Sequence, residues 1–422
     1  MPLSLPQAID LALRQNRSVQ LAKLGITDSR QKRDIARAAY LPKIANQSSV
    51  LHVTDLAGVE IPAGAFGVHS ATGAIPDRSL FLDQGALTSY TSGTGLTQPL
   101  SQMFKIHQSV RAASSDVATA AIGERQAEDE IRLRVRQIYF DLLVAGLREQ
   151  AAQKEVTASE LKDQEAQSSV QKGSALEVQA LESHADLLES RQSALELRMQ
   201  IHDLTATLDD LLGLSPETPL QLDEQTRAEP VSLPDRAECL RIAGANNTDV
   251  QAAEQAVVKA RSGLTAAKEA YIPDVTGLAR YSYQSGIPFL VHNFGDFGFT
   301  FSWDLYDGGR RESEIRNART ALSEAEVHLA EVKSQTAVQV ESQYDAVEQT
   351  RSLVAVAEEA FDTRDEIARV TEQQLTRGAA LPSASAEANA KRDAAKADSL
   401  QAELSLSVAE TALEKTIGQM PH

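Results

Sequence analysis

The sequence runs to 422 residues, with 41 Lys and Arg set against 59 Asp and Glu for a formal net charge of −18. That balance argues against a nucleic-acid partner, and no cluster of basic residues with interleaved aromatics offsets it. A single cysteine, Cys239, excludes an intrachain disulfide and a cysteine-rich metal cage, and no apolar run reaches the ~18 residues of a membrane-spanning helix.

The first element expected is a helix from Leu5 to Ala38. Ser4 and Gln7 stand at capping-box spacing and Pro6 falls in the first turn, where a missing N–H is tolerated. The residues after Met1 lack a basic-then-apolar start, so the leader of an exported protein, and any acylated cysteine, is expected to lie outside this sequence. Pro42 ends the helix and biases the preceding residue towards extended backbone. Strands are expected at about 44–53 and 88–98, although their Ser/Thr/Gln-rich alternation is indistinct. Between them, Thr54 to Ala86 is rich in Gly, Pro and Ala and reads as a long surface loop. A helix without breakers follows at about 101–172, is interrupted at Gly173, and returns from Leu176 to Leu212, with Gly213 placed as a left-handed cap.

The pattern then repeats. Leu214–Val231, with three prolines, is a linker between a first repeat at 1–213 and a second at 232–422. Ser232-Leu233-Pro234 restates Ser4-Leu5-Pro6, with Asp235 at the matching cap spacing. Asn16 and Val19 return as Asn247 and Val250, and Ala39-Tyr40-Leu41-Pro42 as Ala270-Tyr271-Ile272-Pro273. Further on, Val135 pairs with Val340, Gly173 with Gly378 and Gly213 with Gly418. The second long helix, about 310–377, carries Val340, Val347, Val354, Phe361, Ala368 and Leu375 at heptad spacing, and Pro382 to Ile417 forms its return helix. In the first copy Glu149 and Asp163 interrupt that seam. Each long helix spans roughly 105 Å at 1.5 Å per residue, about the summed length of one opening and one returning helix. Such matched rods suit a hollow tube better than a solid core.

The second hairpin, about 275–284 and 296–305, has the clearest strand pattern. Phe297, Phe299, Phe301, Trp303 and Leu305 alternate with Gly298, Thr300, Ser302 and Asp304, so one face is aromatic and the other small or polar. Tyr281 and Tyr283 continue the aromatic face on the first arm. About ten residues per arm is the length of a tilted membrane strand, although a soluble hairpin can look similar. Four strands cannot close a barrel. Two copies supply eight and three supply twelve, and twelve suits an open conduit because an eight-stranded barrel is filled by its own side chains.

No catalytic constellation is present. The eight histidines are scattered, Ser92-Gly93-Thr94-Gly95 lacks a phosphate-loop lysine, and no cofactor or metal site is expected.

The opening SLPQAIDLALRQN, the turns AYLPKI and AYIPDV, the run SWDLYDGGRR and both helix-breaking glycines, in that order twice over, resemble the TolC-type outer-membrane efflux family. The resemblance implies a mainly α protein with a β-barrel part: a homotrimer with a 12-stranded outer-membrane barrel on a periplasmic α-helical barrel. It implies passive export with a periplasmic adaptor and an inner-membrane pump of the RND or ABC type, and no enzymatic activity. It also implies that Lys172, Gly173, Ser174 and Leu176, with Arg377, Gly378, Ala379 and Leu381, form tips that meet the adaptor. Glu182 and Glu387 then lie near the pore entrance, where the family narrows, but Gln179 and Ala384 replace the outer acid of the pair. A plain solvated helix face is the other reading of these two acids. The competing function is a coiled-coil scaffold without a pore, which gains nothing from an exposed Phe/Trp stripe.

Overall fold

A computed structural model describes the chain except for residues 1, 57, 83–84, 217, 224–232, 288–289 and 421–422. In order, the elements are β1 (Pro2–Leu3), α1 (Leu5–Gln15), α2 (Arg17–Ala38), β2 (Lys43–His52), β3 (Val59–Ile61), β4 (Val68–His69), β5 (Gly73–Ala74), β6 (Leu80–Leu82), β7 (Thr88–Pro99), α3 (Met103–Gln171), α4 (Glu177–Leu212), β8 (Gln221–Leu222), α5 (Arg236–Asn246), α6 (Thr248–Lys268), β9 (Asp274–Ser285), β10 (Asn293–Ser302), α7 (Arg310–Thr376) and α8 (Pro382–Ile417). They fall into two compact units, each drawing on both halves of the sequence: 1–29, 116–257 and 324–422 in one, and 30–115 and 258–323 in the other.

The first unit is helical. Lys162 Nζ meets Asp186 at 2.8 Å and ties α3 to α4, while Arg148 meets Asp398 at 2.9 Å and ties α3 to α8. Arg351 reaches Glu410 at 3.4 Å from α7 to α8. The order across the layer is therefore α4, α3, α8, α7. Its two larger apolar clusters join several helices each. Val135, Tyr139 and Leu142 of α3 meet Ala8 and Ala12 of α1 and Leu208 and Leu212 of α4. Val340 and Val347 of α7 meet Cys239 of α5 and Leu413 and Ile417 of α8. Val340 and Val347 of the heptad are thus core positions, while Val354, Phe361 and Leu375 further along α7 are half-buried. In the first copy Asp163 is buried at the place where the second copy has Ala368, and accepts from Gln167 Nε2 at 2.9 Å.

Each opening helix is two helices, where the sequence pattern predicts one. The break falls at Asn16, in extended backbone (φ −63°, ψ 130°), and at Asn247 (φ −57°, ψ 131°). Asn16 Oδ1 accepts from the Ser18 N–H at 2.9 Å and its Nδ2 donates to the Leu211 carbonyl at 3.2 Å. Asn247 accepts from Asp249 at 2.9 Å and donates to the Thr416 carbonyl at 2.8 Å. One amide side chain therefore caps the following helix and also bonds the end of a returning helix, which outweighs the continuous helical pattern. The Ser4 N–H donates to Gln7 Oε1 at 3.0 Å as the spacing predicts. In the second copy the cap is Asp235, accepting from Glu238 N–H at 2.8 Å, so Pro234 precedes the helix; Ser232 lies outside the described residues, as do linker residues 224–231.

The second unit contains a four-stranded antiparallel sheet in the order β10-β9-β7-β2. The stretch from Thr54 to Ala86, expected as a loop, holds two short ribbons: β3 with β6 and β4 with β5. Residues 57, 83 and 84 of that stretch lie outside the described ones.

Candidate functional site

Three surfaces carry the residues that the sequence singles out. The first is the pair of turns between long and returning helices. After α3, the Ser174 N–H bonds the Ser169 carbonyl and the Gly173 N–H bonds Val170, both at 2.9 Å. After α7, Ala379 bonds Gln374 at 2.8 Å and Gly378 bonds Leu375 at 2.9 Å. These are matching Schellman turns. Their glycines take φ of +71° and +73°, a left-handed conformation that disfavours a Cβ. Lys172, Gly173, Ser174, Leu176, Arg377, Gly378, Ala379 and Leu381 are all exposed, and Leu176 and Leu381 present apolar side chains at 68% and 60% exposure. The two turns are braced differently. Gln179 accepts the Leu176 N–H at 3.2 Å, whereas Ser383, just past Leu381, donates its N–H to Glu165 of α3 at 3.2 Å.

The second surface bears the acids. Glu182 is exposed on α4, and Glu387 is half-buried on α8. Glu182 shares a helical face with Asp186 and Glu189, four and seven positions on. Asp186, Glu189 and Glu387 line one groove together with Glu155 and Lys162 of α3, so both predicted acids point to the same side of the helical layer. They are not equivalent. Lys391, one turn on, forms an ion pair with Glu387, and Glu182 has no ion pair among the described residues. Burial, and then the neighbouring Glu387, push the Glu155 carboxyl above its usual range.

The third surface is the sheet. Cross-strand partners share a face, and the register pairs Phe297 with Ala279, Phe299 with Gly277 and Phe301 with Val275. Phe297, Phe299 and Phe301 are 89%, 77% and 64% exposed. Tyr281 and Tyr283 lie on the same face, paired across to Thr94 and Ser92. The reverse face carries Thr300, Ser302 and the Arg280–Asp296 ion pair at 3.3 Å. Trp303, expected within the strand, lies just beyond it. The register would set it opposite Pro273, which has no N–H to offer, and pairing stops at Ser302 with Asp274.

The first hairpin supplies what the alternation there leaves hidden. Ile44, Val50, Tyr90 and Leu96 lie on the aromatic face, but so do Asn46, Ser48, Ser92 and Thr94. These four bond one another: Asn46 Nδ2 donates to Thr94 at 2.9 Å, and Ser48 Oγ donates to Ser92 at 2.9 Å. A polar island thus sits on the aromatic face, its members bonded to one another. Among the described residues β2 and β10 each have one neighbour in this sheet, so one copy leaves two open edges.

Among the described residues no helix is long and apolar enough to cross a membrane, and no group of three or more His, Cys, Asp or Glu residues is placed to hold a metal ion.

Two tandem helical hairpins with paired β-hairpins define the architecture of a channel-forming outer-membrane protein, and solved structures share it. CusC superposes with a TM-score of 0.76 at 15% identity, over 98% of this chain and 92% of its own. VceC of Vibrio cholerae gives 0.71 at 18%, over 99% and 96%, and the open-state MtrE outer-membrane channel of Neisseria gonorrhoeae gives 0.74 at 18%, over 99% and 89%. No curated protein sequence matches the chain. The outer membrane efflux protein model matches residues 8–214 and 240–419, and the chain belongs to that family.

Proposed function

We propose that three copies of this chain form a passive efflux conduit, with the sheets joined edge to edge in the outer membrane and the helices in the periplasm. The open-edged sheet with one aromatic face carries this reading. Such a face aggregates in water, and exposed strand edges invite pairing with another copy. Three copies supply twelve strands, wide enough to leave a lumen. The outer helices of the layer also bear unpartnered apolar side chains, Val338 and Val356 on α7 and Leu195 and Met199 on α4, which suit a seam between copies. The chain carries no nucleotide-binding motif, so an inner-membrane pump of the RND or ABC type supplies the energy and a periplasmic adaptor meets the exposed tips. A scaffold without a pore leaves the aromatic face unexplained.

The test is a pair of substitutions one residue apart. Phe299→Arg puts a charge into lipid at a cost of ~2–4 kcal/mol at mid-membrane, whereas Thr300→Arg faces the lumen and costs little. The yield of assembled trimer from membranes is expected to collapse for the first and survive for the second; equal yields count against this orientation. For the entrance, reversal potentials in planar bilayers are expected to show cation preference at low salt, screened over ~8–10 Å at moderate ionic strength. Glu182→Gln should reduce that preference more than Glu387→Gln, because Lys391 already offsets Glu387. If both variants keep the native preference, the acids form an ordinary solvated face.

A further inference from the structure

We infer that a half-open cavity of about 670 Å³, lined by α3, α7, α8 and the β8 segment, is a binding site for a small amphiphilic organic cation. Its volume lies within the ~300–1,000 Å³ typical of small-molecule sites. The apolar part is built from Leu143 and Leu147 of α3, Leu222 of the linker, Phe361 of α7 and Leu400 of α8. Around it stand Glu358, Asp362, Glu403 and a single lysine, Lys396.

These charges set the sign of the ligand. None of the four makes an ion pair or side-chain hydrogen bond among the described residues, although charged neighbours on the same helices are paired, as in Arg148–Asp398 and Arg351–Glu410. Three carboxylates against one ammonium leave two negative charges in excess, which selects a cation over an anion. A bare divalent ion is a poor match, because hard cations need several oxygen ligands converging on a point, and no such convergence exists among the described residues. An organic cation uses both halves of the cavity: its ammonium meets the carboxylates and the Phe361 ring, and its apolar body covers the leucines.

The position separates this site from the acids considered above. Lys396 stands nine positions beyond Glu387 on α8, about two and a half helical turns, and so on the opposite side of the helix. The cavity therefore opens on the face of the layer away from Glu182 and Glu387. A bound cation there bridges α7, α8 and the linker without entering the proposed conduction path, and its binding does not depend on the conduit reading.

Titration calorimetry on the assembled full chain in non-ionic detergent, at low salt and with blank micelles subtracted, provides the test. The probes are 4-phenylbutylammonium, the neutral 4-phenylbutan-1-ol and the anionic 4-phenylbutyrate. The ammonium is expected to bind at least about tenfold more tightly than the alcohol, the usual scale of a charge-assisted contact, and the carboxylate not measurably. Asp362→Asn combined with Glu403→Gln should weaken ammonium binding about tenfold, while Lys396→Gln should strengthen it by removing the competing cation. Glu182→Gln, on the other face, should leave it unchanged. Equal binding of the three probes, no binding of any, or weaker ammonium binding in Lys396→Gln overturns the inference.

Discussion

Four glycines close helices in this chain with the same backbone geometry, yet two stand in the open and two are wedged against a neighbour. Gly173 and Gly378, at the tips, have nothing within 4 Å of where a Cβ would stand. Gly213 and Gly418, at the ends of the returning helices, take nearly the same φ of +68° and +72°. A Cβ on Gly213 would approach Gln15 Cβ to 2.9 Å, and one on Gly418 would approach the Asn246 carbonyl oxygen to 2.3 Å. The tip glycines are needed only for a turn. The joint glycines are needed for a turn and for close contact with the chain just before the asparagine break, which in each repeat sits against that repeat's own returning helix. The difference separates surface that is free to meet a partner from surface already used to hold the repeat together.

Substitutions at these sites sharpen or break that comparison. Gly418→Ala should have the largest effect, because left-handed strain adds to a clash with backbone that cannot move aside: about 3 kcal/mol or more of lost stability. Gly213→Ala meets a side chain first and should lose about 2 kcal/mol. Asn247→Ala removes a cap and leaves the Thr416 carbonyl without that donor, for about 1–2 kcal/mol. Gly378→Ala should lose only the conformational term of about 1 kcal/mol and leave assembly intact. Apparent midpoints of thermal unfolding of the extracted protein rank the four. A Gly378→Ala shift as large as that of Gly418→Ala removes the distinction between tip and joint.

The tips and the second hairpin were legible in the sequence because their signals are local. A glycine between two long helical patterns, or a Phe at every other residue from Phe297 to Phe301, needs no knowledge of distant chain. The breaks at Asn16 and Asn247 were not legible. Both fit the helical pattern around them, and what bends the chain is a bond to Leu211 or Thr416, far along the sequence. The end of β10 failed for a related reason, since the alternation continues through Trp303 while the pairing depends on Pro273 across the hairpin. The island of Asn46, Ser48, Ser92 and Thr94 escapes notice because both faces of the first hairpin are rich in hydroxyls, and only the register sorts them. The cavity beside Phe361 is assembled from four segments, and none of them carries a signature alone.

The linker has a bearing on the order in which the chain can fold. β1 pairs in parallel with β8, Pro2 beside Gln221 and Leu3 beside Leu222. Fully buried Tyr139 joins them: its hydroxyl donates to the Leu3 carbonyl at 2.9 Å and accepts from the Asp223 N–H at 3.0 Å. Pro2 and Leu3 therefore have no strand partner until the rest of the first repeat is present. Pairing across so long a stretch of chain is slow, because loop-closure entropy is lost before any contact compensates for it. The clasp is a late event, and its closure marks the first repeat as complete.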